Sequence, residues 1–562
     1  HNVMIDAFTV TDSQSVDSLI EFPLMAVTVP RYSKFETRLQ RGGGEPTNYQ
    51  LRCLTLCNCI NMFMPTSKGE SVMTNRRNFL KASFSAAGAA VAGSAWAVPV
   101  KAPSKWDESF DFVIIGAGGA GLSAACHAAE AGLKVLVLEK MSLVGGSSLI
   151  CGGAWSVGGT ELQKSKGIED SEEKFFADMM KTGQNENDPA LVRAFVRASK
   201  EEYEWILSKG VKPSTVAIAS GMSVPRAHRF DPAAVIAFYL NYAKKLGVDI
   251  RLNTPADRLV WDADAGRTAG VRVRNAKQTA FVAARKGVLI AAGGFSRNPQ
   301  LLAKYAPPMK WAAVIAGMGT TGDGMLLGQD CGADVLDTNY VKASYGFKLN
   351  PSSISDMTTI YYAGAIIVNK DAKRFVNESL SYKLLGDEAL SQPEHKSWLV
   401  FDDAIRRSQM KLRAIDKKLW GGFDEGKTAD YYFSGATIEE AAQKAGLNPK
   451  VLAETIQQYN ETAPQGKDPI GRTSLSSGYG KPVALDHGPY FIMPATAGMI
   501  GTYCGLRIND KAQVIGVFGE VIPGLLAAGE ATGGVHGAAY MTGTAFGKAL
   551  AYGRIAARTV AS

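Results

Sequence analysis

The chain has 562 residues, 46% hydrophobic and 20% charged, with a formal net charge of +8. That length suits two or three globular domains with substantial cores. A mild basic balance, with no Lys/Arg cluster interleaved with aromatics, argues against a nucleic-acid partner.

Residues 1–72 show no strong periodicity, and their Cys53/Cys57/Cys59 cluster lacks a second pair of ligands. Met73 opens Met73-Thr74-Asn75-Arg76-Arg77-Asn78-Phe79-Leu80-Lys81, followed by a mild Ala/Gly/Ser stretch ending in Ala95-Trp96-Ala97. Paired arginines, a weakly apolar run and a small-residue cleavage site predict a twin-arginine signal over 73–97. Such signals act from an N-terminus, so translation is expected to begin at Met73, with 1–72 a spurious extension. The apolar part, about 14 residues, is too short for a membrane span. The expected location is the periplasm or another exported compartment. Cys126, Cys151, Cys331 and Cys504 are far apart, so neither a disulfide nor a metal site is expected. No Cys-x-x-Cys-His occurs, so electrons must be exchanged with a separate protein.

After a polar linker at 98–109, an apolar strand (Asp111 to Ile115) breaks at Gly116-Ala117-Gly118-Gly119-Ala120-Gly121 into an Ala-rich helix. A second apolar run, Val135 to Leu138, ends in Glu139 and Lys140. Strand, glycine turn, helix, strand and acid in this order predict a bound dinucleotide. The glycines allow a tight turn and close approach of a pyrophosphate to the helix N-terminus, and Glu139 suits ribose hydroxyls.

Apolar strands and amphipathic helices alternate over 110–339, as in an α/β domain. Ser171 to Lys209 reads as two helices; Val248–Leu252, Ala269–Arg274 and Gly287–Ala292 read as strands, and Thr321-Gly322-Asp323-Gly324 opens a helix. Between 340 and 499 the composition shifts towards Tyr, Ser, Lys and Pro, which predicts an inserted α+β capping domain. The α/β pattern returns over 500–562, with Val521–Ala528 as a strand ahead of Gly529-Glu530.

Together with Gly145-Gly146-Ser147-Ser148, Ala291-Ala292-Gly293-Gly294, Gly364-Ala365-Ile366-Ile367-Val368-Asn369, Arg374-Phe375-Val376-Asn377-Glu378 and Ile522 to Glu530, these segments resemble the flavoprotein superfamily of soluble fumarate reductases, urocanate reductases and 3-ketosteroid dehydrogenases. The resemblance implies a Rossmann-like, glutathione-reductase-type FAD domain split by a capping domain. It further implies hydride exchange between flavin N5 and a C–C bond beside an activating group. By resemblance the cofactor lies against Gly116 to Gly121, Glu139, Lys140, Gly145 to Ser148, Gly152, Gly153, Ala256, Ala292 to Gly294, Asp323, Gly529 and Glu530. Thr544, Ala545 and Phe546 would face the flavin pyrimidine edge. Non-covalent FAD is expected, because Asp430…Ser434-Gly435-Ala436-Thr437 departs from an attachment sequence and the Gly145–Gly153 loop has no histidine.

The chain departs from the fumarate reductases where those enzymes clamp two carboxylates. Their arginines and histidines fall at Tyr361, Ile500-Gly501-Thr502-Tyr503, Tyr540 and Tyr382. A dicarboxylate would leave its charges unpaired there, at a cost of several kcal/mol. Asn377-Glu378-Ser379-Leu380-Ser381-Tyr382, Gly505-Leu506-Arg507 and Tyr540-Met541-Thr542-Gly543 are instead similar to ketosteroid dehydrogenase segments. The expected site is a phenol-lined, uncharged pocket. Tyr382 would exchange the proton, Tyr540 would hold the substrate carbonyl, and Tyr345, Tyr361, Tyr362 or Tyr503 would tune Tyr382. His536 reads as structural, His228 as a capping or surface group, Arg406 and Arg407 as a solvated helix face, and Thr437 as a helix cap. The expected activity interconverts an α,β-unsaturated carbonyl compound, ketosteroid-like, with its saturated form. The alternatives are a respiratory reductase of an unsaturated carboxylate and a non-catalytic electron-transfer flavoprotein. The expected electron partner is a cytochrome c or a quinol-linked protein.

Overall fold

The computed structural model describes residues 99–274, 279–476 and 478–562. The expected signal peptide and the 1–72 extension lie outside the described residues.

A nine-stranded sheet runs in the order Val100–Lys101, Ala256–Asp262, Arg267–Arg274, Thr279–Ile290, Glu108–Ile115, Val135–Leu138, Asp249–Arg251. Gln513–Ile515 and Val521–Ala527 complete it, the latter lying parallel to Thr279–Ile290 with Val288 opposite Leu525. The last segment of the chain thus returns to the sheet that the first segment began. Phe112, Val113 and Ile114 are fully buried, as expected for parallel strands covered on both faces. The small residues of helix Gly119–Glu130 serve packing: helix Thr544–Ala561 approaches so closely that a Cβ on Gly553 would lie 2.4 Å from the Ala120 carbonyl oxygen.

A second, six-stranded sheet is centred on Tyr490–Met499, which pairs with Ala313–Val314, Ser344–Lys348, Ser397–Asp402 and Phe433–Gly435; Ile366–Val368 pairs with Ser397–Asp402. It draws Ala313–Val314 from ahead of residue 340. A three-stranded sheet (Ala154–Ser156, Ala227–Arg229, Thr215–Ala217) lies beside the N-terminus of helix Thr544–Ala561, through Ser156 N–H donated to the Gly543 carbonyl (3.1 Å). Among the described residues no helix is long and apolar enough to cross a membrane.

The expected helices between 171 and 209 form as Glu172–Thr182 and Pro189–Ser208, each with an acceptor side chain at its N-cap, Ser171 and Asp188. Thr437 caps Ile438–Lys444 by accepting from Glu440 N–H (3.2 Å). Two expectations are corrected. Arg406 is not solvated: it is fully buried, pairing with Asp403 and Asp424 and donating to the Trp420 carbonyl. His228 is neither a cap nor a surface group. It is fully buried between Thr160 Oγ1 (2.8 Å) and the Arg226 carbonyl (2.8 Å), and burial lowers its pKa to about 4. Each polar side chain gains a specific buried partner, which local sequence does not display.

Candidate active site

The glycine turn divides its work between tight packing and open space. Gly116 adopts φ +106°, and a Cβ there would lie 2.5 Å from the Ala291 carbonyl oxygen; one on Gly121 would lie 2.0 Å from that of Gly116. These two are glycine because strand and helix touch. Gly118 caps the helix without a side-chain bond, and a Cβ on it meets nothing nearer than Gly145 O at 3.9 Å. Facing it, Gly146 is equally open, with Gly118 Cα at 4.0 Å, and the two loops join through Gly145 N–H donated to the Ala117 carbonyl (2.8 Å). The result is an open cleft at the helix N-terminus, which suits a pyrophosphate.

Glu139, nearly buried at the end of Val135–Leu138, accepts from Ala117 N–H and Met141 N–H, both at 2.8 Å, which fixes its carboxylate beside the glycine turn. Ser147 Oγ accepts from Gly317 N–H (3.1 Å) and Ser148 Oγ from Gly119 N–H (3.3 Å), which braces the second loop. Lys140 and Asp323 pair with each other at 2.7 Å. Gly153 packs on the Phe230 carbonyl, and Ala256 begins a strand opposite Val273. Glu530 accepts from Thr502 N–H (2.8 Å), and burial raises its pKa. A Cβ on Gly294 would lie 2.2 Å from its Oε1, so Gly294 is glycine to admit this carboxylate. Cleft, acids and glycine-lined walls fit FAD.

The expected phenols separate into two groups. Tyr345 and Tyr361 are fully buried in the second sheet's core. Ser397 Oγ donates to Ala495 O (3.0 Å), so the 2.9 Å contact with Tyr345 uses the tyrosine's proton; Tyr361 donates to Tyr345 O (3.1 Å). Tyr362 likewise donates to Leu380 O (2.8 Å). The proton of each is committed within the protein.

Tyr382, Tyr503 and Tyr540 do come together. The Tyr503 and Tyr540 rings stack at 4.8 Å, and the edges of both pack against His536 at 5.4 Å. Tyr382 Oη bonds Thr542 Oγ1 (2.9 Å), while Tyr540 Oη accepts from Gly543 N–H (2.9 Å). Because the Tyr540 oxygen accepts, its own proton is free to point elsewhere. Burial holds the Tyr382 phenol up at about 12 and raises Tyr540 further. Both therefore stay protonated at neutral pH. Tyr503 holds φ +54°, a left-handed backbone that seats its ring against Tyr540. Thr544 and Phe546 begin the next helix, Thr544 donating to Met541 O (2.7 Å) and Phe546 packing on Trp155; Ala545 lies between them.

The expectation of an uncharged pocket is corrected. Lys383, 1% exposed, places its Nζ 4.6 Å from the Tyr503 ring centroid and 5.8 Å from that of Tyr540, and donates to Lys342 O (3.0 Å). Burial lowers its pKa to about 7. Sequence reading missed it although a signal was present. Lys383 shares the buried face of helix Tyr382–Ser391 with Gly386 and Leu390, at helical spacing. Arg229, from the three-stranded sheet, also acts electrostatically on Tyr382 and Tyr540. His536 stays neutral, its pKa pushed well below normal by burial and by Lys548 and Lys383. Its Nε2 has no hydrogen-bond partner among the described residues.

Residues 111–545 match the FAD binding domain family. The fumarate reductase (cytochrome) of Shewanella frigidimarina is 34% identical over 460 residues, covering 81% of this chain and 77% of that protein. The open conformation of a flavocytochrome c3 fumarate reductase superposes with a TM-score of 0.67 at 28% identity, covering 88% of this chain and 82% of that one. A 3-ketosteroid-Δ4-(5α)-dehydrogenase from Rhodococcus jostii RHA1, solved with 4-androstene-3,17-dione, gives 0.68 at 26% identity, covering 83% of this chain and all of that one. The chain belongs to the FAD binding domain family and is an FAD-dependent oxidoreductase of the fumarate reductase superfamily, acting on carbon–carbon double bonds.

Proposed function

We propose that the protein reduces a C=C bond conjugated to a carbonyl group, with Tyr382 as proton donor and Tyr540 as the hydrogen-bond donor to the carbonyl oxygen. The observation that carries this reading is the pairing of the two phenols through Thr542-Gly543. Tyr540 is left with a free proton, and Tyr382 is held protonated by burial. When bound, the flavin supplies the hydride that goes to the carbon β to the carbonyl. Negative charge then builds on the carbonyl oxygen, where Tyr540 donates, with the Lys383 charge beside its ring. Tyr382 delivers its proton to the α-carbon and is reprotonated from solvent. The saturated product has gained one hydride and one proton. A phenol that stays protonated at neutral pH is in the form that reduction requires.

Glu139 and Glu530 would hold the ribose and ribityl hydroxyls, the Gly116–Gly121 and Gly145–Ser148 loops the pyrophosphate, and Thr544 to Phe546 the pyrimidine edge. The absence of an attachment histidine or matched attachment sequence supports non-covalent binding. Electrons would come from a separate protein, a cytochrome or a quinol-linked partner, and the paired arginines at 76–77 support export.

Anaerobic addition of α,β-unsaturated ketones and acids to photoreduced protein tests the reading. Reoxidation of the flavin is the expected result. Tyr382→Phe should lower turnover by about 10²- to 10⁴-fold, the usual worth of a general acid, with flavin content unchanged. Retained turnover in that variant would remove Tyr382 from the reaction.

A further inference from the structure

We propose that Glu202, His127 and Arg554 form a pH-sensitive clamp on the two helices that flank the cofactor cleft, so that the charge state of His127 controls how tightly FAD is held. This rests on the reading that FAD lies against the Gly116–Gly121 turn and Glu530, and it adds a control to that site.

The clamp is built from buried charge. Glu202, on helix Pro189–Ser208, is fully buried. One of its oxygens lies 2.6 Å from His127 Nε2 on helix Gly119–Glu130 and 2.9 Å from Arg554 Nη1 on helix Thr544–Ala561. The other accepts from Tyr239 Oη (2.5 Å) on helix Pro232–Lys245, and Ser123 Oγ lies 3.0 Å from it. Four helices therefore converge on one carboxylate. His127 Nδ1 faces a second, Glu130, at 3.4 Å. With a carboxylate at each ring nitrogen, both nitrogens must carry a proton, and the imidazolium is the form that fits.

The remaining neighbours do not change that balance. Glu130 is also met by Tyr242 Oη (2.6 Å) and Lys209 (3.3 Å), and Arg554 lies 3.7 Å from Glu201. Arg554 Nη1 is 3.2 Å from His127 Nε2, so the two donors share one oxygen, and the Trp205 ring packs on the imidazole at 4.5 Å. Burial and the Arg554 charge oppose a cation here, yet Glu202 and Glu130 outweigh them and hold the His127 pKa above its ordinary 6.5.

The clamped helices fit without spare room. A Cβ on Gly553 would lie 3.0 Å from Ala124 N, and the turn carrying Glu530 is wedged between the same two helices. A Cβ on Gly529 would meet the Cβ atoms of Ala120 at 3.0 Å and Ala549 at 3.7 Å. A shift of either helix at His127 or Arg554 is therefore felt at the glycine turn and at Glu530. When His127 loses a proton, a ring lone pair faces a carboxylate, and Arg554 is left to hold Glu202. The clamp is complete below pH 6.5 and is lost as pH rises through the higher value of the folded protein. By linkage, FAD favours the protonated form.

The test follows FAD release from the loaded protein, by the fluorescence of freed flavin, from about pH 6 to about pH 9.5. Affinity should fall by about tenfold or more over that range, at no more than about tenfold per pH unit, the limit for one proton. His127→Gln should remove this slope and hold FAD at low pH as weakly as wild type does at high pH. Lys383 and Lys548, whose pKa values burial lowers to about 7 and about 8, titrate in both proteins, so the difference belongs to His127. In the loaded wild type the His127 ring resonance should titrate above pH 6.5, with the midpoint of the FAD-release profile. The proposal is overturned if wild-type release does not change with pH or if His127→Gln keeps the wild-type slope. It is equally overturned if His127 titrates with no matching change in release, which would make the cluster a structural lock only. The seating reading fails separately: a Gly121→Val protein with full flavin content would sink it whatever slope His127 gives.

Discussion

The dinucleotide cleft and the phenol cluster solve the problem of buried polarity in opposite ways. In the cleft, backbone dominates: glycines bring N–H groups to an open groove, and Glu139 is fixed by two of them. In the phenol cluster, side chains dominate, and the Lys383 cation lies against the Tyr503 and Tyr540 rings without an acid bonded to it. The first arrangement is complete before a ligand arrives except at the pyrophosphate. The second leaves charge unmet at the place where substrate charge would develop. A cofactor site can be rigid and generic, whereas a substrate site keeps its electrostatics unfinished.

The largest expected effect strikes the cleft. Gly121→Val puts a branched side chain where even a Cβ would lie 2.0 Å from Gly116 O. Purified protein should lose roughly nine-tenths or more of its flavin if this turn is, as proposed, the seat of the pyrophosphate. Normal flavin content, measured by absorbance, would show that the turn can relax and that its tightness is not what binds the cofactor.

A smaller effect, of defined sign, belongs to the cluster. Lys383→Met removes a lysine whose pKa in the fold is about 7, against an ordinary value near 10.5. Between those pH values the unfolded chain binds the proton more tightly, so this residue makes wild-type stability rise with pH through that window. Below it, the full cost of burying the charge is present. The variant should therefore melt at a higher temperature than wild type at pH 6, and the gain should shrink towards pH 10. Wild-type turnover should decline as pH rises through about 7, and the variant should lack that decline. A pH-independent difference in melting temperature would mean that Lys383 does not titrate as the buried group described here.

The smallest effect marks the boundary of the cluster. Tyr345→Phe removes a hydroxyl bonded to Ser397 inside the second sheet. It should cost about 1 kcal/mol of stability and change kcat less than twofold or so, because the hydroxyl does not point towards Tyr382 or Tyr540. A large loss of turnover would return Tyr345 to the reaction and widen the cluster.

The geometry of the cleft was readable in the sequence because it is local. Gly116, Gly121 and Glu139 lie within one strand–helix–strand unit, so spacing carries the geometry. The phenols were readable as residue types, yet Tyr345 and Tyr361 look like Tyr382 in sequence and differ only in where their protons are spent. Arg226 and Arg229 sit in one short run, and nothing in it says that Arg226 is the one that meets acids. His228 and Arg406 failed for the same reason, each having a buried partner far along the chain or around a turn.

Sequence alone determined the strand–turn–helix order, the glycine positions and the family, because these follow from backbone sterics and from periodicity over a few dozen residues. Tertiary structure decided which tyrosines keep a free proton and which cations stay unpaired. Hydrogen bonding and desolvation depend on contacts between segments 160 residues apart, such as Tyr382 with Thr542.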